Sequence, residues 1–277
     1  MSNEKYLSHR LNGFDAKEAS LAALEKAIIS HAPFLEIDTR VSKDGTIYIS
    51  HDDMISSTRR TLSISKSNSS KIDSFIKKHS LEIISLDKLL QVFSKRKYKS
   101  QKLMIDIKDY GFEEEHLRLV QKYNLNKNIF WVSWIPQSLL KLDKLDPNTP
   151  KILSFIPVND IFTPITQNIS IAKIPFIPIV LIGREYYKSD LKDLARGYQH
   201  AYLTYELNNE LLALLSKNGG GVCISKNLLT AKQLSFNKTH ELLTTVFAAA
   251  DRKEFKKISK MGVDIVFCDF VDKEIRG

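Results

Sequence analysis

The segment Phe34–Val41 places two carboxylates on one face of a predicted strand. Its sequence is Phe-Leu-Glu-Ile-Asp-Thr-Arg-Val. Because residues two apart in a strand share a face, Glu36, Asp38 and Arg40 point one way and mainly apolar side chains point the other. Neighbouring carboxylates repel each other, and their burial is costly without a cation. If this face points into a parallel barrel, it predicts a bound cation; in an antiparallel edge strand, both acids would lie in solvent.

A second segment, Lys102–Lys108, repeats this arrangement. Asp106 and Lys108 share one face of the predicted strand, and Ile105 and Ile107 share the other. A surface ion pair between Asp106 and Lys108 would also explain why they share a face. A third carboxylate from a different strand suits a hard cation with oxygen ligands, such as Mg²⁺ or Ca²⁺, and a nearby lysine suits a phosphate oxygen. Two strands of this kind in one chain favour a functional site.

Two histidines lie where the chain leaves a predicted strand. His9 is followed by Arg10, and His51 is followed by Asp52. A single histidine is more often a structural residue with satisfied hydrogen bonds. A pair at the carboxyl ends of barrel strands is different, because barrel enzymes place their chemistry at that end. Two imidazoles with pKa values near neutrality can serve as general base and general acid in a displacement at phosphorus.

Short strand-like runs alternate with amphipathic helical stretches along most of the chain. The predicted strands are Tyr6–Arg10, Phe34–Val41, Thr46–Ser50, Lys102–Lys108, Ile129–Trp134, Lys151–Ile156, Ala201–Tyr205, Gly221–Ser225, Thr245–Ala249 and Asp264–Asp269. Helices are predicted to begin at Asp15, with Glu18 at a capping-box spacing, and over Leu86–Phe93, Glu114–Tyr123, Ser138–Leu145 and Asp251–Met261. Such alternation implies parallel βαβ units. The length of 277 residues suits one α/β TIM (β/α)8 barrel, which typically has about 250.

Two stretches interrupt this alternation. Ser56–Ser74 is rich in serine and lysine and is predicted to be a loop or small insertion. Asn159–Gln199 contains Pro164, Pro175 and Pro178 and shows no clear period. No internal repeat or second domain is indicated, so we predict a single domain over residues 1–277. The two interruptions predict an irregular barrel.

Composition narrows the functional classes without choosing among them. The formal net charge of +9 suits an anionic substrate, an anionic membrane surface or nucleic acid, but no nucleic-acid-binding motif accompanies it. Cys223 and Cys268 are too few for a disulfide framework. No apolar run approaches the ~18 residues of a membrane span, and Met1–Arg10 lacks a signal-peptide pattern. We therefore expect a cytoplasmic protein without a nucleic-acid partner; the oligomeric state is left open.

The motifs together resemble the glycerophosphodiester phosphodiesterase family. That family has His-Arg after its first strand, Glu-x-Asp in the second, then Lys-Asp-Gly, a strand and His-Asp. The corresponding residues here are His9-Arg10, Glu36-Ile37-Asp38, Lys43-Asp44-Gly45 and His51-Asp52. Further on, Ile105-Asp106-Ile107-Lys108 is similar to the family's Glu-x-Lys strand, and Gly262-Val263-Asp264 to its closing strand. The resemblance is specific over residues 5–55, extends to 83–108 and 251–269, and is absent from about 158 to 245.

This resemblance implies a TIM barrel with a metal-assisted phosphodiesterase site. The implied ligands of a divalent cation, Mg²⁺ or Ca²⁺, are Glu36, Asp38 and Asp106. The implied acid–base pair is His9 and His51. The residues implied to neutralise a small phosphodiester substrate are Arg10 and Lys108. A family insertion after the second histidine would correspond to about residues 54–78 and would cover the pocket.

The implied reaction is metal-dependent hydrolysis of a glycerophosphodiester, or a related small phosphodiester, to a phosphomonoester and an alcohol. In this family a hydroxyl beside the phosphate can attack first and form a cyclic intermediate, which water then opens. One alternative is a phospholipase D-like lyase that stops at the cyclic phosphate. Another is a catalytically inactive barrel that binds phosphoryl ligands.

Three departures from the family pattern concern the substrate more than the reaction. Leu11 stands where the family has a glycine after His-Arg, and Asp106 is one methylene shorter than the family's glutamate. The family's Trp-Thr-x-Asn near the seventh strand is replaced by Phe247-Ala248-Ala249-Ala250, which removes polar groups from the mouth of the barrel. We therefore predict a changed substrate alcohol.

Overall fold

The computed structural model describes residues 5–158, 171–173, 178–183, 196–204 and 206–270. The strands of the described residues are β1 (Lys5–Ser8), β2 (Phe34–Val41), β3 (Ile47–Ile49), β4 (Met54–Ser56), β5 (Thr61–Ser63), β6 (Lys102–Ile107), β7 (Ile129–Ser133), β8 (Lys151–Ser154), β9 (Ile156–Pro157), β10 (Ile171–Lys173), β11 (Ile179–Ile182), β12 (Gln199–Thr204), β13 (Gly221–Ser225), β14 (Leu243–Ala249) and β15 (Ile265–Cys268). The α-helices are α1 (Leu21–Ile29), α2 (Ser69–His79), α3 (Leu86–Ser94), α4 (Glu113–Lys122), α5 (Pro136–Leu145), α6 (Asn209–Leu215), α7 (Ala231–Thr239) and α8 (Arg252–Ser259).

Within the described residues, eight parallel strands close into a barrel, in the order β1, β2, β6, β7, β8, β13, β14, β15 and back to β1. Helices connect successive strands and cover the outer face, so the predicted TIM barrel is confirmed. Alternation along each strand divides its side chains between two cores. On β2 and β6, for example, Leu35 and Ile105 face outward into the main core, while Met104 faces the barrel interior.

The barrel interior is filled below its mouth. Its buried apolar cluster consists of Leu7, Met104, Val132, Ile152, Cys223, Ile265 and Phe267. These side chains come from six of the barrel strands and pack as a plug, as expected for a barrel whose interior is a core and not a pore. The next inward-facing residues towards the carboxyl ends of β2 and β6 are polar, and they therefore lie at the floor of the mouth.

Two predicted strands do not belong to the barrel. Thr46–Ser50 becomes β3, which pairs antiparallel with β2. The turn between them is too short for the crossover that a parallel neighbour needs, so a hairpin forms. Ala201–Tyr205 falls largely in β12, which belongs to a separate sheet; Tyr205 lies outside the described residues.

Two inserted units interrupt the barrel. Between β3 and α3, the β4–β5 hairpin and α2 pack over a small core that includes Tyr48, Ile55, Ile64 and Ile72. Between β8 and α6, the described residues contribute a four-stranded sheet in the order β10, β11, β12, β9. The prolines Pro164 and Pro175 of the aperiodic stretch lie outside the described residues, as does most of that stretch.

The first helix begins later than the capping-box spacing predicts. Its N-cap is Ser20, whose Oγ accepts a hydrogen bond from the Ala23 N–H at 3.1 Å. Asp15 has a left-handed φ of 51°, and Glu18 instead accepts a hydrogen bond from the Asn12 side chain. The predicted start at Asp15 is therefore wrong. The left-handed backbone at Asp15 is not helical, and the Glu18 carboxylate binds the Asn12 side chain and does not cap a helix. No helix in the described part of the chain is long and apolar enough to cross a membrane.

Candidate active site

Strand register brings together the three carboxylates that the resemblance singled out. In the parallel pairing of β2 with β6, Asp38 lies opposite Asp106, and Glu36 lies two residues before Asp38 on the same inward face. One oxygen from each of the three residues lies within 4.8 Å of the others. All three residues are buried, with 2–5% of each residue's surface exposed. The arrangement is an acidic cluster at the floor of the barrel mouth.

The electrostatics of this cluster fit a cation. Burial raises the pKa of Glu36 well above its ordinary value, and the charges of Asp38 and Asp106 raise it further. Burial also acts to raise the pKa of Asp38, but Lys108, His51 and Arg10 outweigh it and lower that pKa to about 2. Asp106 Oδ1 is buried and accepts no hydrogen bond from the described residues. Three converging carboxylate oxygens with spare acceptor capacity are suitable ligands for a hard divalent cation.

Lys108, at the carboxyl end of β6, lies against two of the acids. Its Nζ is 2.9 Å from Asp38 Oδ1 and 2.6 Å from Asp106 Oδ2. Burial acts to lower the pKa of Lys108, but Asp106 and Asp38 overcome this and raise it. The side chain therefore remains an ammonium. Because an ammonium has three N–H donors, these two contacts leave one for another acceptor.

Arg10 approaches the same cluster from the first strand. It lies in the short 3₁₀ turn that follows β1, with a left-handed φ of 51°. The main-chain N–H of Arg10 donates to Glu36 Oε2 at 2.8 Å, and the guanidinium Nε is 3.2 Å from Asp38 Oδ2. The side chain retains 27% exposure, so the guanidinium lies at the boundary between the acids and the mouth.

The two histidines each have a carboxylate partner at Nδ1. His9 Nδ1 is 2.6 Å from Asp269 Oδ1, and His51 Nδ1 is 2.8 Å from Asp52 Oδ1. Burial lowers the pKa of His51, and Lys108 and Arg10 add to that effect. The hydrogen bond with His9 lowers the pKa of Asp269, which keeps it a carboxylate. An Nδ1 contact of this kind orients the ring and leaves Nε2 for another partner.

The family model described as the glycerophosphoryl diester phosphodiesterase family matches residues 9–273. The chain belongs to this family. It is accordingly a phosphoric diester hydrolase, as the sequence predicted. No curated protein matches the chain.

Solved structures with the same fold include several enzymes of low sequence identity. A glycerophosphodiester phosphodiesterase from Parabacteroides distasonis is 16% identical, with a TM-score of 0.65 over 96% of this chain and 93% of that chain. An Oleispira antarctica phosphodiesterase, solved with the product sn-glycerol-3-phosphate, is 19% identical, with a TM-score of 0.64 over 96% and 93%. The Thermotoga maritima glycerophosphodiester phosphodiesterase is 18% identical, with a TM-score of 0.61 over 100% and 99%. At these identities the likeness shows the fold alone.

Leu11, which stands where the glycerophosphodiester phosphodiesterase motif has a glycine, adopts a backbone conformation that favours glycine. Its φ is 57°, in the left-handed region that glycine adopts freely. A left-handed conformation costs a residue with a side chain about 1–2 kcal/mol. Leu11 is completely buried in the main core, and burial of a leucine contributes about 1.5–3 kcal/mol. Packing therefore offsets the backbone cost.

A cavity of about 190 Å³ opens beside the site. Its lining includes Arg10 and His51 on the side of the acidic cluster, and Met54 and Ile83 on the side of the first inserted unit. The cavity thus connects the charged floor to a partly apolar wall. Across the mouth, the rings of Trp134 and Phe247 meet edge to face with centroids 5.8 Å apart.

Sequence reasoning missed the role of Asp269 beside His9. Closure of the barrel pairs β1 with β15, with Ser8 opposite Cys268. The residues that follow this pair are His9 and Asp269, so their contact follows from a closed barrel of known strand order. The available signal was a carboxylate at the end of the last predicted strand, Asp264–Asp269. Asp52 was recognised as part of the His-Asp motif but not as a partner of His51.

Proposed function

We propose that the chain hydrolyses a glycerophosphodiester, or a related small phosphodiester, to a phosphomonoester and an alcohol with the help of a divalent cation. The observation that carries this proposal is the buried cluster of Glu36, Asp38 and Asp106, with Arg10 and Lys108 in contact with it. The proximity of these five side chains supports their assignment as metal ligands and anion-binding groups. Membership of the family supports the diester as substrate class.

Glu36, Asp38 and Asp106 would hold Mg²⁺ or Ca²⁺. When bound, the cation supplies Lewis-acid stabilisation of the negative charge on the phosphoryl oxygens. Lys108 has one N–H beyond its two carboxylate contacts, and the Arg10 guanidinium borders the mouth. These two groups would donate hydrogen bonds to the phosphodiester and neutralise its charge as the attacking oxygen arrives.

His9 and His51 would transfer the protons. One ring would remove the proton from the attacking hydroxyl, and the other would donate a proton to the oxygen of the departing alcohol, so that the two rings exchange protonation states. When water then opens the cyclic phosphate, the roles reverse and both rings return to their initial states. Asp269 and Asp52 would fix the two rings through Nδ1, which leaves Nε2 facing the reacting atoms. The lowered pKa of His51 keeps it neutral near pH 7, the form that accepts a proton.

The substrate alcohol is proposed to differ from that of relatives with polar groups at the mouth. The ring pair of Trp134 and Phe247 and the partly apolar cavity wall favour an alcohol with an apolar part. The Oleispira antarctica enzyme was solved with sn-glycerol-3-phosphate, which supports glycerol on the other side of the phosphate.

The test is phosphomonoester release from glycerophosphocholine, glycerophosphoethanolamine and glycerophosphoglycerol, with Mg²⁺, Ca²⁺ or a chelator. We expect turnover that requires the cation and is lost in His51→Ala. Phosphorus NMR of the products separates a phosphomonoester from the cyclic phosphate of a lyase. Cation binding by a folded protein without turnover of any of these diesters would point to a different diester or to a phosphoryl-binding barrel. Silence without cation binding would contradict the proposed site itself.

A further inference from the structure

Arg40 is a buried cation that the proposed reaction does not use. It lies two residues after Asp38 on β2, and its side chain is completely buried. Nε donates to the main-chain carbonyl of His51 at 3.0 Å. Nη1 donates to Asp109 Oδ1 at 3.2 Å and to the main-chain carbonyl of Tyr198 at 2.8 Å. A buried guanidinium needs partners for its charge and its donors. Nε and Nη1 have them here, whereas Nη2 has no hydrogen-bond partner among the described residues.

Asp109 joins the same network to the second inserted unit. It is completely buried, and besides Arg40 it accepts hydrogen bonds from the N–H groups of Val41 and Gly197, both at 2.9 Å. Gly197 has a φ of +80°, and a Cβ there would lie 2.5 Å from Ser65 Oγ. The chain can approach this closely only as glycine. The segment 196–200, which we call the docking segment, is therefore fixed against the carboxyl ends of β2 and β6.

Gln199, in the docking segment, reaches the His51–Asp52 pair itself. Its Nε2 donates to the main-chain carbonyl of His51 at 3.2 Å and lies 3.3 Å from Asp52 Oδ1. The same Asp52 oxygen is the partner of His51 Nδ1 at 2.8 Å. Arg40 and Gln199 thus both donate hydrogen bonds to the main-chain carbonyl of His51. Gln199 also donates to the Asp52 carboxylate, which orients the His51 ring.

We propose that Arg40 and Gln199 are positioning residues for His51, so that Gln199 contributes to the active site from the second inserted unit. The inference rests on the proposed function, in which His51 transfers a proton. A proton-transfer group must lie within hydrogen-bond reach of its substrate atom, and a displacement of 1 Å can lower the rate by about a hundredfold. His51 follows a short edge strand, β3, and the network limits the displacement of its main chain.

A purely structural role for the network would attach the inserted sheet to the barrel without affecting His51. Arg196 offers a matched control for that role. It belongs to the docking segment, and its Nη2 donates to the main-chain carbonyls of Val41 and Ser42. It thus attaches the same segment to the end of β2 without a hydrogen bond to His51 or Asp52.

The experiment compares Arg40→Lys, Gln199→Leu and the control Arg196→Lys in the full chain with divalent cation. A lysine cannot reproduce the three contacts of Arg40, since its ammonium is a single point on a flexible stem. We expect kcat to fall about tenfold in Arg40→Lys and about threefold in Gln199→Leu, with KM and cation affinity unchanged. Arg196→Lys should lower the thermal midpoint but leave kcat within about twofold. In a His51→Ala background, neither Arg40→Lys nor Gln199→Leu should reduce the residual rate further.

Three results would overturn the inference. One is an unchanged kcat in both positioning variants, another is an equal loss of kcat in Arg196→Lys, and the third is an undiminished further loss in the His51→Ala background. If Arg40→Lys does not fold, Gln199→Leu decides, because Gln199 is only half-buried. A wild-type enzyme without turnover would instead overturn the proposed function, and this inference with it.

Discussion

The two halves of the barrel mouth differ in the chemistry of their strand ends. The half formed by β15, β1, β2 and β6 carries charged or titratable groups, namely Asp269, His9, Arg10, Glu36, Asp38, Asp106 and Lys108. The half formed by β7, β8, β13 and β14 carries mainly hydroxyl and aromatic side chains, namely Ser133, Trp134, Ser154, Ser225 and Phe247. Its lysine in the corresponding position, Lys226 directly after β13, is paired with Glu254. Because neighbouring strands are contiguous around the closed sheet, the charged groups meet on one side.

Hydroxyls of the second half serve the barrel itself. Ser133 Oγ donates to the main-chain carbonyl of Ile107 at 2.8 Å, and Thr245 Oγ1 donates to that of Val222 at 3.0 Å. These groups satisfy carbonyls of adjacent strands and are buried. Under the proposed function, one half would hold the phosphoryl chemistry and the other would shape the space for the alcohol.

The largest expected effect is loss of a proton-transfer group from the charged half. His9→Ala should lower kcat/KM for a glycerophosphodiester by about 10²–10⁴-fold, the usual contribution of a general acid or base. The control is His240→Ala, since the His240 ring contacts Phe236 near the end of α7, away from the acidic cluster. Phosphomonoester release under saturating cation measures both. A loss below about fivefold in His9→Ala would remove His9 from the chemistry.

The acidic cluster should be the next most sensitive feature. Asp106→Asn removes one of its carboxylates, and we expect cation affinity to fall at least about tenfold, measured by titration calorimetry. Asp106→Glu restores the residue type of the family motif and should retain binding. Asp146→Asn is the control, because Asp146 lies between α5 and the start of β8, away from the mouth, and accepts a hydrogen bond from Trp131 Nε1. Equal cation affinity in Asp106→Asn and wild type would contradict the proposed ligand set.

The free energy of unfolding should fall at acidic pH because of His200, in the inserted sheet that borders the charged half of the mouth. Burial lowers the pKa of His200 on β12 to about 4, and the nearby charge of Arg40 adds to this effect. Above the unfolded-state pKa of about 6.5, both states are neutral and the full stability is present. As the pH falls towards 4, the unfolded state takes up the proton first, so stability is lost.

At about 1.4 kcal/mol per pKa unit, this loss amounts to about 3 kcal/mol for His200 alone. His200→Gln should reduce the loss of unfolding free energy between pH 7 and pH 4, measured by urea denaturation at each pH. An identical pH dependence in wild type and variant would show that His200 titrates alike in both states.

The smallest expected effect is a change in KM from a substitution in the half formed by β7, β8, β13 and β14. Trp134→Ala should change KM by less than about tenfold and alter the ranking of choline, ethanolamine and glycerol esters, because it removes one ring of the Trp134–Phe247 pair. The kcat for an aryl phosphodiester should change little. If the ranking is the same as in wild type, that half does not select the alcohol.

Periodic elements and local motifs were predictable from the sequence. The bounds of β2 and β13 agree with the predicted Phe34–Val41 and Gly221–Ser225, since β-branched and apolar residues at alternate positions favour one register. The predicted site residues of β2 and β6 share one cluster because strand parity places them on the inward face. The start of α1 was not predictable from its cap spacing, since Asn12 competes for Glu18.

The sequence by itself thus determined the barrel strands, the acidic cluster and the family, because period-two alternation and short motifs are local properties of the chain. Tertiary structure alone decided the partners of the histidines and the place of the docking segment. Asp269 reaches His9 only through barrel closure, and Gln199 reaches His51 only through packing of the inserted sheet. These contacts join residues 260 and 148 positions apart. No local period encodes them, since they depend on which strands become neighbours and on how the inserted units pack against the barrel.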